Sequence, residues 1–162
     1  MTPIALDMRL LSFFPADHAT AAEGKLYVNG AYWNRLAFPT FPQVVPALAL
    51  VAVLEVPFKA YHAEHTFVFG MEDSDGRKQP LRIEGNFRVG AGADMNYGDP
   101  TVMPVVVPVH NLVVSRPGNY SFIFAVDGEE LGRYPVRAIQ VPLALRFDLG
   151  SPPPAEPESE AS

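Results

Sequence analysis

The stretch that most constrains the fold runs from Gly118 to Arg137, GNYSFIFAVDGEELGRYPVR. Tyr120, Phe122, Phe124 and Val126 alternate with Ser121, Ile123, Ala125 and Asp127, the period of a β-strand with one strongly apolar face. Asp127-Gly128 is a hairpin signal, because Gly tolerates the positive φ that a twist-matched reversal requires. A plain two-residue loop would set Phe122 opposite Arg133 on one face. An odd loop length instead pairs Tyr120, Phe122 and Phe124 with Val136, Tyr134 and Gly132, so the sequence predicts a bulged hairpin. Two strands alone are marginal in water, and this apolar face needs a second sheet over it.

The rest of the chain supplies that partner. Ile4 to Phe14 reads as a first strand ending at Pro15, followed by a polar, Ala-rich connection over Ala16 to Gly24. Lys25 to Asn29 and Ala31 to Ala37 read as two strand segments hinged at Gly30. Phe38-Pro39-Thr40-Phe41-Pro42 is a rigid turn, since each proline fixes φ and removes a donor. Val44 to Val56 is apolar at nearly every position, as expected of a central strand buried on both faces or of one that switches sheets. His65 to Met71 places Phe67 and Phe69 on one face, and Glu72-Asp73-Ser74-Asp75-Gly76 supplies turn chemistry. Pro80 to Val89 alternates Leu81, Ile83, Gly85, Phe87 and Val89 with Arg82, Glu84, Asn86 and Arg88, a half-exposed strand. Gly90 to Pro100 is a Gly-rich loop. Val102 to Val114 returns to β, with Pro104 and Pro108 pointing to an edge strand or bulges. Gln140 to Leu149 alternates Val141, Leu143, Leu145, Phe147 and Leu149 as a last strand.

About eight or nine short strands separated by turns predict an all-β protein, an antiparallel immunoglobulin-like β-sandwich. The 162 residues suit one domain over residues 1–149. Residues 150–162, rich in Pro, Glu and Ser, are expected to be a disordered acidic tail. The formal charge is −6; the tail holds three of the 18 acidic residues and no base, which leaves 15 acids against 12 bases in the body. A nearly neutral body without a basic stripe argues against nucleic acid and against an anionic membrane. The chain has no cysteine, so disulfides and thiolate metal sites are excluded. Its apolar runs are shorter than a membrane span, and the N-terminal residues lack a signal pattern, so a cytoplasmic location is expected.

The run GKLYVNGAYWNRLAFPTFPQVVPALALVAVL, the turn EDSDGR and the closing RPGNYSFIFAVDGEELGRYPVR resemble a bacterial family of small β-sandwich proteins of uncharacterised function, a domain of unknown function. The likeness covers most of Glu23 to Val136. Its motifs are turn and core positions, so it implies a shared fold and brings no catalytic residues.

No catalytic constellation stands out. Aligning Gly76 with the glycine of an EF-hand loop puts Met71 and Arg82 at ligand positions, so that reading fails. A looser cation site at Asp73 and Asp75 would need Asp94, Asp99 or Asp127. His62 and His65, three apart in a strand, point to opposite faces and read as surface histidines flanking Glu64. There is no G-x-S-x-G elbow, and Gly90-Ala91-Gly92-Ala93 lacks the lysine of a phosphate loop. No cofactor and no metal is expected. The sharper candidate is Tyr32, Trp33, Arg35, Phe38 and Phe41, because aromatics and Arg dominate interface hot spots and prolines preorganise a loop. The competing reading makes Trp33 and Phe38 core residues. Two functions follow as expectations. The first is a non-enzymatic binding or assembly module meeting a protein partner or another copy of itself. The second is a small-ligand sensor or hydrolase near the Gly90 to Pro100 loop and the acidic turns.

Overall fold

The computed structural model describes residues 7–90, 92 and 96–142. The strand expected over Gln140 to Leu149 lies outside them beyond Pro142, as does the tail. So do Ala91 and Ala93 to Met95 of the Gly-rich loop.

The described residues form nine strands: β1 (Arg9–Ala22), β2 (Lys25–Ala31), β3 (Arg35–Phe38), β4 (Gln43–Val56), β5 (Glu64–Asp73), β6 (Lys78–Arg88), β7 (Thr101–Val114), β8 (Gly118–Val126) and β9 (Glu129–Gln140). One 3-10 turn, Phe58–Ala60, interrupts them. They make two sheets. Sheet A has the order β2-β1-β4-β7 and sheet B the order β3-β9-β8-β5-β6. The pairings are antiparallel except β3 with β9, which is parallel. This corrects the expectation of a wholly antiparallel sandwich. The cause is connectivity: β3 precedes the crossover into β4, while β9 arrives from the β8 hairpin running the same way.

The bulged hairpin and its register are present, but the loop is not odd in length: it is the two residues Asp127-Gly128, and the extra residue, Leu131, lies within β9. Tyr120 faces Val136, Phe122 faces Tyr134 and Phe124 faces Gly132, and the ladder shifts so that Ala125 meets Glu130. Asp127 (φ 49°) and Gly128 (φ 81°) form the turn, both left-handed as a twist-matched two-residue reversal requires. A side chain on Gly132 would collide with Leu10, so glycine there lets β1 cross close over β9.

Between the sheets, Phe13, Phe69 and Phe124 pack with ring centroids 4.8 to 6.1 Å apart. Phe69, Phe122 and Phe124 are fully buried. β4 runs through the middle of sheet A and is buried on both faces from Leu48 to Ala52. Leu48, Leu50, Ala52, Leu54 and Val56 join the main core, whereas Val51 belongs to a second cluster with Phe14 and Ala16. Leu26 and Val28 of β2 and Ala19 of β1 pack on that second cluster.

Ala16 to Ala22 are therefore strand and not connection. Ala16 pairs with both Ala49 of β4 and Ala31 of β2, and from there β1 leaves β4 for β2. Glu23 (φ 53°) and Gly24 (φ 72°) close this second hairpin with two left-handed residues. Pairing and burial, which act over the whole fold, override the weak strand propensity of alanine. β7 is an edge strand, as Pro104 and Pro108 predicted.

Candidate functional site

The ladders of sheet B fix its outer face row by row. Ile123 of β8 pairs with Gly70 of β5 and with Arg133 of β9, and Gly70 pairs with Arg82 of β6. In the next row Ala125 pairs with Val68, and Val68 with Glu84. The centre of this face is thus small and apolar while its sides are charged. A trough of about 470 Å³ lies there, lined by Val68, Gly70, Ile123 and Ala125 with Glu72 and Arg82 at its rim. A Cβ on Gly70 would meet only the Leu81 carbonyl oxygen at 3.7 Å, ordinary contact. Packing therefore does not require glycine there; its missing side chain deepens the trough.

The rim is fixed by ion pairs. Arg133 reaches Glu72 at 3.1 Å and Glu130 at 2.8 Å, and Arg82 reaches Glu84 at 2.8 Å. Hydrogen bonds donated to Glu130 and then to Glu72 raise the pKa of the Arg133 guanidinium above its ordinary value. These exposed pairs add little stability, but they set a fixed pattern of charge around an apolar floor.

The residues singled out from sequence do not form one surface. Trp33 packs edge-on against Phe122 at 6.4 Å, and Phe38 meets Phe41 edge-on at 5.7 Å. All three are partly buried against the main core. Tyr32 (φ 64°) is 60% exposed, yet its ring stacks on Phe14 at 4.4 Å and its hydroxyl lies 2.7 Å from Ser12 Oγ. Its neighbour Tyr134, at 6.5 Å between centroids, has a phenol pushed up by burial and then by the charge of Tyr32. Arg35 stands alone of the five on the outer side of sheet B, exposed and in register with Arg137.

His65 is not a surface residue. It is fully buried, with Nδ1 2.8 Å from Asp127 Oδ2 and Nε2 2.8 Å from the Ala60 carbonyl oxygen. The carbonyl can only accept, so Nε2 donates to it. Asp127 Oδ1 also accepts from the Thr66 amide at 2.9 Å, which ties the β8–β9 turn to β5. With both ring nitrogens engaged and Phe87 stacked at 5.3 Å, the imidazole is a structural clasp with no free atom for chemistry.

The β5–β6 turn is likewise occupied by its own backbone: Asp73 Oδ1 accepts from the amides of Asp75 and Arg77, each at 2.9 Å. Asp127 is bonded to Thr66, seven residues back along β5 and so about 23 Å away at strand rise, and Asp99 lies beyond the start of that strand, where its carbonyl oxygen accepts from the Tyr61 hydroxyl. Among the described residues no three His, Asp or Glu side chains gather as metal ligands. No helix among them is long and apolar enough to cross a membrane.

The trough residues were missed from sequence. Their signal was the second phase of β8, where Ser121, Ile123 and Ala125 are small or apolar while the exposed phase of β6 is charged. The depth depends on Gly70 lying beside Ile123, which only the register supplies.

No curated protein matches the chain. Among solved structures, the alkylpurine DNA glycosylase AlkC of Pseudomonas fluorescens, bound to DNA containing an abasic site analog, is similar at 12% identity with a TM-score of 0.43. The match covers 83% of this chain and 31% of that one, and a likeness so slight carries no functional argument. A family model described as a family of unknown function matches residues 11–139, through all but the first two residues of β1 and all but the last of β9. The chain therefore belongs to that family, DUF6941.

Proposed function

We propose that this protein is a non-enzymatic binding module that meets a protein partner, another copy of itself included, through the outer face of sheet B. One observation carries the reading: the 470 Å³ trough with an apolar floor and a charged rim. Interfaces are built in that way, with an apolar centre ringed by polar groups.

The finer fold reading, an immunoglobulin-like sandwich, has two supports. β4 and β7 lie side by side in one sheet while β9, β8, β5 and β6 follow in order in the other, as strands B and E and strands G, F and C with one more do in that fold. Tyr120, near the start of β8, donates its hydroxyl to the Arg116 carbonyl oxygen at 2.6 Å, the contact of a tyrosine corner. A cysteine-free chain suits a reducing compartment such as the cytoplasm. The competing reading, a ligand or hydrolytic site at the Gly90 to Pro100 loop, has less support, because that loop and the Asp73–Asp75 turn lie at opposite ends of β5 and β6.

Co-purification from the native host tests the proposal. The wild-type chain should retain a partner, or self-associate, and Ile123→Arg should lose it while keeping the wild-type circular-dichroism spectrum. A chain that stays monomeric and partnerless in native mass spectrometry overturns the reading.

A further inference from the structure

At one end of the same face, β3 and β9 set two arginines side by side. Arg35 and Arg137 are register partners in the parallel ladder, and the next pair, Leu36 with Ala138, points into the core. Alternation therefore turns both arginines outward together. Adjacent strands lie about 4.8 Å apart, so the two like charges start from neighbouring positions. Like charges directly opposite one another destabilise a sheet. Neither guanidinium has a hydrogen bond or ion pair among the described residues. Arg82 and Arg133 of the same face are both neutralised by glutamates. In a chain of net charge −6, two adjacent unpaired arginines stand out.

The pair is also continuous with a cleft. Arg137 pairs with Asn119 of β8, its amide donates to the Asn34 carbonyl oxygen at 2.9 Å, and Asn34, Asn119, Ser121 and Arg137 line a hollow of about 220 Å³ together with Asp73 and Ser74. The Asp73 carboxylate is already engaged by the amides of Asp75 and Arg77 and by Arg116 at 3.7 Å, whereas Arg137 has polar neighbours there but no charged partner among the described residues. Along β9, Arg137 is followed two residues back by Pro135 and four back by Arg133, so the cleft and the trough lie about 14 Å apart on one face. No residue of β9 lines the trough, so an extended peptide reaches both by running obliquely from Arg137 across β8 to Ile123.

We infer that Arg35 and Arg137 receive the carboxylates of an acidic segment on the partner protein, whose apolar side chains enter the trough. This rests on the reading of the outer face of sheet B as the binding surface. Guanidinium forks match carboxylates in a bidentate manner, and two forks side by side suit acidic residues at successive positions of an extended chain. The binding of one carboxylate by each arginine also removes the repulsion between them.

The test uses the full chain and a fluorescein-labelled peptide of alternating Glu and Val, read by fluorescence anisotropy, with a Lys-Val peptide as control. The Glu-Val probe should bind, more weakly as salt is raised, and the control should not. Arg35→Gln and Arg137→Gln should each weaken the probe by about tenfold, the loss of one charge-assisted hydrogen-bonded contact. Ile123→Arg separates this inference from the wider reading. Loss of binding in that variant with none in the arginine variants overturns the assignment of the pair and leaves the trough. Loss in the arginine variants alone keeps the pair and removes the trough. Inorganic phosphate competing as strongly as the peptide reduces the pair to a simple anion site and overturns the inference. The residues Glu156, Glu158 and Glu160 carry the same chemistry within the chain. With these three changed to Gln, an unchanged probe affinity keeps an outside partner as the source, and a tenfold gain assigns the pair to the chain itself and overturns the partner.

Discussion

The two sheets share a core but treat their outer faces differently. Sheet A covers the middle of its own, where the β1–β2 hairpin brings Leu26, Val28 and Ala19 against Phe14, Ala16 and Val51, and leaves single apolar side chains such as Val44, Val102 and Val113 exposed toward its ends. Sheet B leaves its outer face open, with Val68, Gly70, Ile123 and Ala125 at the floor of a trough. The sequence of each sheet's central strand mirrors this. From Leu48 to Ala52 β4 is apolar without alternation because both faces are dry there, whereas β8 alternates because one face is wetter. A face that the chain closes with its own residues serves stability. A face left open with an apolar centre is where an interaction with another molecule can be made.

Matched substitutions on the two faces would sharpen or break this contrast. The largest effect is expected at Val51, which is fully buried. Val51→Asp should cost at least about 4 kcal/mol, the penalty for an unpaired charge in a dry cluster, whereas Val68→Asp should cost below about 1 kcal/mol. Urea titration of both variants decides it, and equal losses would mean that the outer face of sheet A is not closed. Phe14→Ala, at a ring 5% exposed and stacked on Tyr32, should cost about 3 kcal/mol, against about 1 kcal/mol for Ile123→Ala. Gly70→Val should raise stability by about 0.5 kcal/mol, since a β-branched residue suits a strand better than glycine and a Cβ there makes only ordinary contact with the Leu81 carbonyl oxygen. The same variant should fill the trough and abolish partner retention, so a stability gain with binding intact would remove the proposed site. Smallest of all, Arg35→Gln should stabilise the chain by about 0.3 kcal/mol through relief of like-charge repulsion. That gain should shrink as salt is raised from 10 mM-range buffer toward physiological ionic strength, as screening of exposed charges requires.

Much of sheet B was legible from local pattern. The alternation through Tyr120, Phe122 and Phe124, read against Tyr134 and Val136, yields the strand, the bulge and the register, because an error of one residue would bury Arg133. The second half of β1 was not legible. Pro15 and the alanines that follow carry weak local strand preference, and what makes them strand is pairing with β4 and β2. His65 is an instructive failure. It shares the phase of Phe67 and Phe69, so alternation alone pointed it inward. The groups that make its burial tolerable, Asp127 and the Ala60 carbonyl, come from a turn 62 residues away and from a short 3-10 segment. The parallel β3–β9 pair was equally hidden, since nothing near Arg35 announces Arg137 as its neighbour. Arg35, singled out as a binding candidate within an aromatic cluster, is exposed beside Arg137 and not beside those aromatics. Trp33, Phe38 and Phe41, adjacent to it in sequence, turn toward the core.

The β3–β9 ladder also bears on the order of folding. The hairpins β1–β2 and β8–β9 close over a few residues and need little search, whereas β3 and β9 join positions roughly 100 residues apart. With only four residues in β3, that seam is the natural last step of assembly and the first to open. The two arginines are neighbours only once it has closed, so the proposed acidic-segment site depends on that one four-residue seam.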